Sequence, residues 1–344
     1  MSRYNNFNIL RFFAAFFVIT GHMHYLTGVT PPVVYGQAIS TIGVKILFLL
    51  SGYFIALSFI SDSSKNHIFK FFIKRIIRIF PPLIFVVIST MLLCSLISTL
   101  SFDEYFLNRH LYSYLKNIIL LPVYNLPGVF ADNPYPVAVN GSLWTMPVEL
   151  LMYLLVPCLF FVNKFNKYCV FFILIFTCLV YLYCFNSQKT TIIFYGTNWY
   201  QALGIMPYFL IGCIYAIYPN LLKLLNLQIA SLIIFILACF PISMYGYFIN
   251  EFCFMFFFSY FIFSFGNSAP PFLVVFFQKF EVSYGMYLWS FPIQQFLVSC
   301  FNNKIPFIIY LVLTIFITLF FSFISCVLIE KPCVKLSKFL INKI

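Results

Sequence analysis

Apolar residues fill this chain in long blocks, with polar residues confined to the gaps and to a few places inside the blocks. Apolar helical patterns cover about 7–26, 39–60, 79–100, 144–163, 168–185, 199–218, 229–248, 251–266, 282–300 and 307–329. A helix needs roughly 20 apolar residues to cross a bilayer, so about ten transmembrane helices and an all-α polytopic membrane fold are expected. A further apolar run, 111–124, is short and stops at Pro122. It is expected to be re-entrant or interfacial, with its backbone groups satisfied inside the protein. No soluble domain, low-complexity stretch or internal repeat is expected, and 1–344 reads as a single integral membrane domain.

Composition fits this pattern. The 344 residues are 63% hydrophobic and only 8% charged, more apolar surface than a soluble chain can hide. The net charge of +12 does not point to nucleic acid, because the cations sit in short connections between blocks. Lys65, Lys70, Lys74, Arg75 and Arg78 precede or open the third block. Lys164, Lys167, Lys223, Lys279, Lys331, Lys335, Lys338 and Lys343 fall on the same side. Only Arg109, Lys116, Lys189 and Lys304 are left for the other. Cytoplasmic connections are the ones enriched in Lys and Arg, so both termini are expected in the cytoplasm. The first block follows Arg3 and carries Arg11 without a small-residue cleavage site, so it reads as a retained span. The eleven cysteines lie mostly within apolar runs and form no Cys-x-x-Cys pair. They read as small buried hydrophobes, and no metal site is expected.

A few ionisable residues interrupt the spans, and these are costly enough to suggest function. Arg11 and His22 lie eleven positions apart in the first block, three helical turns plus about 20°, so they share a face roughly 16 Å apart in depth. Taken alone, Arg11 reads as a snorkelling anchor and His22 as a satisfied core histidine. Their shared face favours a site. Arg75 and Arg78 share a helix face before Pro81. They fit an ordinary positive-inside anchor or a paired guanidinium clamp for phosphates. Ser51 and Gly52 suit close helix packing. Lys45 either snorkels outward or lines a polar cavity. The connection 124–142 is rich in Tyr, Pro and Asn, which suits sugar binding or a plain interfacial loop. After it, Thr145 is positioned to cap a helix whose first turn holds Glu149, with Tyr153 one turn further along. That places Glu149 at the depth of His22 and makes the two plausible partners. His24 points elsewhere and reads as interfacial, Glu251 reads as an outer boundary marker, and Glu330-Lys331-Pro332 reads as a helix end.

Taken together, these stretches resemble the acyltransferase-3 family of integral membrane acyltransferases, the group that includes O-antigen O-acetyltransferases. The resemblance runs through Arg11 with His22, Gly43 to Ile55, Arg75 and Arg78, Leu143-Trp144-Thr145 with Glu149 and Tyr153, Ser283-Tyr284 with Tyr287-Leu288-Trp289, and Glu330-Lys331-Pro332. It implies ten helices in the bacterial inner membrane. It also implies transfer of an acyl group, commonly acetyl from acetyl-CoA, to sugars of envelope polysaccharides. There is no bound cofactor in this picture. The expected partners are acyl-CoA as cosubstrate, a surface glycan or lipid-linked oligosaccharide, and membrane lipid. His22 is then the base, with Arg11, Arg75 and Arg78 on the acyl-CoA. Glu149 orients His22, and Trp144 and Tyr153 meet the acceptor. Two positions depart from the family: Ser290 often stands as His, and Lys45 often as Asp. A flippase of lipid-linked glycans is the competing class, and a scaffold with a degenerate site is the third. Only an enzyme releases CoA from labelled acetyl-CoA when an acceptor is present.

Overall fold

A computed structural model describes residues 6–62, 64, 66–239, 246–268 and 282–342. The cations Arg3, Lys65, Lys279 and Lys343 and part of the seventh expected span lie outside the described residues. The protein is an all-α polytopic membrane protein. Its long helices are α1 (Phe7–Leu26), α2 (Ile39–Ile60) and α3 (His67–Cys94), followed by short α4 (Phe102–Leu107) and α5 (Arg109–Ser113). Then come α6 (Thr145–Phe165), α7 (Cys169–Asn186), α8 (Trp199–Ile217), α9 (Leu227–Cys239) and α10 (Gly246–Asn267). The chain closes with α11 (Ser283–Cys300), α12 (Phe307–Ser325) and α13 (Lys331–Asn342). Among the described residues, seven helices are long and apolar enough to cross a membrane: α1, α2, α3, Gly141–Phe165, α7, α8 and the run Phe307–Ile341. The segment α11 has span length but carries Gln294, Gln295, Ser283 and Ser290. It tolerates them because most of its surface is buried against other helices.

Several boundaries differ from the sequence pattern, each for a local reason. The helix α3 starts twelve positions before the expected 79, so Arg75 and Arg78 lie well inside it, on the shared face their spacing gives them. Its Pro81 and Pro82 lie within the helix, and the hydroxyl of Tyr284 donates to the Ile79 carbonyl beside them (3.2 Å). The run 111–124 does not cross. It forms the end of α5 and a 3₁₀ turn, Tyr114–Ile119, and Asn117 ties that turn back to the Tyr114 and Val123 carbonyls at 2.8 and 2.9 Å. The chain does not end a helix at Glu330. A π turn over Cys326–Glu330 absorbs the donor that Pro332 lacks, and helix continues as α13 against α3. Between α2 and α3, Ser64 donates to Asp62 through its hydroxyl (2.6 Å) and backbone N–H (3.1 Å), which with Lys74 holds that carboxyl down to about 2.

The fold contains an internal repeat that the apolar pattern does not show. The unit α1–hairpin–α2 recurs as α7–hairpin–α8 with every matching position 160 residues on, as Gly36 is from Gly196 and Gly52 from Gly212. Val33–Val34 pairs with Gln37–Ala38, and Ile193–Phe194 with Thr197–Asn198, in the same register. Both hairpins turn on Tyr-Gly with positive φ at both residues: Tyr35 51° and Gly36 73°, Tyr195 49° and Gly196 66°. Two such residues make the tight turn that matches strand twist. The preceding helices also end alike, with Val29 N–H on the His24 carbonyl and Lys189 N–H on that of Cys184, both 2.8 Å. The helices α2 and α8 form the most extensive helix contact among the described residues. There a Cβ on Gly52 would strike the Phe209 carbonyl, and one on Gly212 would strike the carbonyl of Leu49. Leu49 and Phe209 are themselves equivalent, so the contact is reciprocal about a pseudo-two-fold axis. Parallel repeats of this kind are related by an axis along the membrane normal. The repeat was hidden because few residues are identical beyond the Tyr-Gly turn, among them Leu50/Leu210, Gly52/Gly212 and Ala56/Ala216.

Candidate active site

Two cavities lie on either side of Val44, which lines both. The first opens toward the end of the bundle where α1 begins. It gathers Arg11 from α1, Arg75 and Arg78 from α3, Glu149 and Tyr153 from α6, and Tyr284 and Tyr287 from α11. A second space of about 290 Å³ shares Arg11, Arg75, Arg78 and Tyr284 and is walled by Glu330 and Lys338 at the C-terminal end of the chain. Three guanidiniums from two helices, the set that the family resemblance groups together, therefore line one space. Arg75 is buried. It donates to the Ser58 hydroxyl at 2.8 Å and lies 5.3 Å from the Phe71 ring centre and 6.0 Å from that of Tyr153. Its Nε has no partner among the described residues. A buried donor left unpaired is costly, and an acceptor entering the cavity relieves that cost. Arg11 rests 4.5 Å from the Phe54 ring centre.

Glu149 belongs to this arginine cavity, and its expected pairing with His22 is not formed. Its carboxylate accepts the Tyr153 hydroxyl, which also meets Ser51 Oγ at 3.2 Å. The correction follows from the local turn. Asn140, not Thr145, is the cap, accepting from the Ser142 N–H at 3.2 Å, and a 3₁₀ turn over Gly141–Trp144 precedes α6. Glu149 is therefore past the first turn, facing the arginines. Thr145 instead meets the Tyr287 hydroxyl at 2.8 Å. Tyr153 likewise lines the arginine cavity, apart from the expected acceptor side, whereas Trp144 stays with His22.

The second cavity, about 570 Å³, lies toward the hairpins and contains His22, Trp144, Gly141 and Tyr135. The His22 ring packs edge-on to Phe291 with centres 5.3 Å apart. Its Nδ1 is enclosed with no hydrogen-bond partner among the described residues, which leaves the other ring nitrogen as the one a cavity ligand can reach. His24 is committed elsewhere, its Nδ1 2.8 Å from the Thr20 carbonyl. Lys45 does not snorkel. It is buried on the cavity wall, 2.5 Å from Glu251 and 2.7 Å from the Gln37 side chain, and Gln37 returns a bond of 2.8 Å to Glu251. Tyr208 donates to the same carboxylate at 3.2 Å. Glu251 is thus a largely enclosed counter-charge and not a boundary marker. The cluster ties the first hairpin to α2, α8 and α10. A buried charge needs its partner, so Lys45 where the family often has Asp is balanced from α10.

The site rests on α11. Its buried Gln294 donates to the Ile19 carbonyl (2.8 Å), holding the His22 helix. Gln295 donates to the Tyr135 and Ala138 carbonyls (2.8 and 2.7 Å), while Asn133 donates to Gln295 Oε1 (2.7 Å). The Tyr- and Pro-rich connection is thereby pinned over the His22 cavity. Asn140 donates to the Leu288 carbonyl at 2.9 Å. Ser290 is buried, donates to the Tyr287 carbonyl at 3.4 Å, and lines neither cavity. Gln37, Glu251, Gln294 and Gln295 were missed in the sequence. Buried glutamines inside an apolar run were the signal available for the last two.

A family model described as an acyltransferase domain matches residues 4–327. The chain is similar to an O-acetyl transferase of Shigella phage Sf6, 28% identical over 96% of both chains. It is also similar to nodulation protein 10 of Rhizobium leguminosarum bv. viciae, 33% identical over 45% of this chain and 44% of that one. No solved structure matches. With the family model spanning nearly the whole chain, this protein belongs to the acyltransferase-3 family and is a membrane acyltransferase.

Proposed function

We propose that the protein transfers acetyl from acetyl-CoA to a sugar hydroxyl of a cell-surface polysaccharide, such as O-antigen or capsule, or of its lipid-linked precursor. The observation that carries this reading is the pair of cavities meeting at Val44, one rich in guanidinium and the other holding a histidine. The full-length similarity to a phage O-acetyl transferase supports the acyl group and the oxygen acceptor. The arginine end faces the cytoplasm, where acyl-CoA is found. Arg75 and Arg78, with Arg11, hold the donor phosphates by bidentate, charge-assisted bonds. The pantetheine arm carries the thioester past Val44. His22 takes the proton from the acceptor hydroxyl, and the oxygen attacks the thioester carbon. The carbon–sulfur bond breaks, and the departing thiolate takes the proton from the imidazolium. Glu149 and Tyr153 set the arginine side chains, and Trp144 meets the sugar.

The test uses the full chain in lipid nanodiscs with acetyl-CoA labelled in the acetyl group. Acceptors are surface polysaccharide of the producing cells, stripped of esters by mild alkali, and membranes of those cells as a source of lipid-linked precursor. Release of CoA thiol that depends on acceptor, with alkali-labile label in the glycan, is the expected result. Vectorial movement of lipid-linked glycan without CoA release would replace this reading with transport.

A further inference from the structure

Resting on the acceptor reading above, we propose that the second repeat unit is the sugar-binding half of the site, with Tyr181, Tyr200 and Gln201 as an acceptor platform opposite His22. The repeat brings equivalent positions to the same cavity: Ser40 and Tyr200, Thr41 and Gln201, Val44 and Gly204, Lys45 and Ile205 all line it. One unit supplies the ionisable groups of the cavity, His22 and Lys45. In the other, Phe171 stands at the position of Arg11 and Leu182 at that of His22. The second unit thus has the same backbone and place without the ionisable groups.

In their stead it presents aromatic surface. The Tyr181 and Tyr200 rings are stacked with centres 5.1 Å apart and planes at 24°, and their hydroxyls are 3.5 Å apart. Both rings are half-buried and line the cavity. Gly204 makes this possible. A Cβ there would lie 3.3 Å from the Tyr181 ring, a tight contact, so a branched side chain such as the equivalent Val44 would press the ring off α8. The negative face of a tyrosine ring attracts the polarised C–H groups on one face of a pyranose. The tyrosine hydroxyls and the Gln201 amide supply donors and acceptors for the ring's hydroxyls. The ligand class is therefore a pyranose unit with an exposed C–H face, held for attack across the cavity from His22. Because Lys45 is already neutralised by Glu251, the platform favours a neutral sugar.

The experiment measures KM separately for donor and acceptor, in nanodiscs, with labelled acetyl-CoA and the alkali-stripped polysaccharide. Tyr200→Leu and Tyr181→Leu are expected to raise acceptor KM about tenfold, with acetyl-CoA KM unmoved. Tyr200→Phe keeps the stacked face and is expected to retain most of the affinity. Gly204→Val, the residue at the equivalent position 44, presses the Tyr181 ring aside without deleting it and is expected to raise acceptor KM alone, which separates the platform from loss of fold. An unchanged acceptor KM in both leucine variants, or an equal rise in donor KM, would overturn the inference. Failure of the unaltered protein to acetylate any supplied glycan would overturn the reading on which it rests, and the inference with it.

Discussion

Replacing His22 with alanine is expected to lower acyl transfer by about 10³-fold, within the range for loss of a general base, while acetyl-CoA binds as before. The separation follows from geometry: His22 is in the hairpin-side cavity, and the arginines are in the other. The ring leans on Phe291 and gives no hydrogen bond to the described residues, so its removal breaks no polar network. The check is turnover per folded protein alongside donor affinity by isothermal titration. Full turnover in His22→Ala would remove the histidine from the chemistry. A parallel loss of donor affinity would show that the two cavities do not divide the work.

The second large effect is expected from Arg75→Lys combined with Arg78→Lys. Lysine keeps each positive charge, so insertion and orientation persist. It loses the planar fork, and a charge-assisted bond of this kind is worth about 1.5–3 kcal/mol. Donor KM is expected to rise about 10–100-fold with acceptor KM unmoved. Arg75 is the more sensitive of the two, because its guanidinium is buried beside Ser58 and between the Phe71 and Tyr153 rings. Glu149→Gln acts on the same side and is expected to raise donor KM several-fold by releasing Tyr153 and the arginines. An altered pH–rate profile at constant donor KM would instead tie Glu149 to His22. Unchanged donor KM in the double variant would leave Arg75 and Arg78 as topology anchors.

The seven spans found among the described residues were legible because length and apolarity decide them, and the common face of Arg11 and His22 because both are on one unbroken helix. The grouping of Arg75 and Arg78 with Arg11 came from the family resemblance, and it holds in space because all three line the same cavity. The place of Glu149 was not legible, because a 3₁₀ turn at Gly141–Trp144 begins the helical segment before Thr145 and leaves Glu149 beyond the first turn. Glu251 was misread because its partner, Lys45, is 206 positions away and only packing joins them. The repeat escaped notice for a related reason. Its halves share turn geometry, one helix-contact glycine each and few other residues, and the residues that give one half its chemistry are those the other half has replaced. Pattern along the chain reports depth and face. Which faces meet is decided by close approaches such as that of Gly52 and Gly212, which a hydropathy pattern does not register.

The central claim is that the donor enters through the arginine cavity and presents its acyl carbon to His22 beyond Val44. The most direct measurement is an experimental structure of the full chain in nanodiscs with S-acetonyl-CoA, a thioether analogue that cannot transfer its acyl group. The account predicts phosphate oxygens within hydrogen-bond distance of Arg75 and Arg78, and the analogue's carbonyl carbon in the cavity that holds His22. Phosphates bound at the hairpin end, or a carbonyl that stops on the arginine side of Val44, would contradict it.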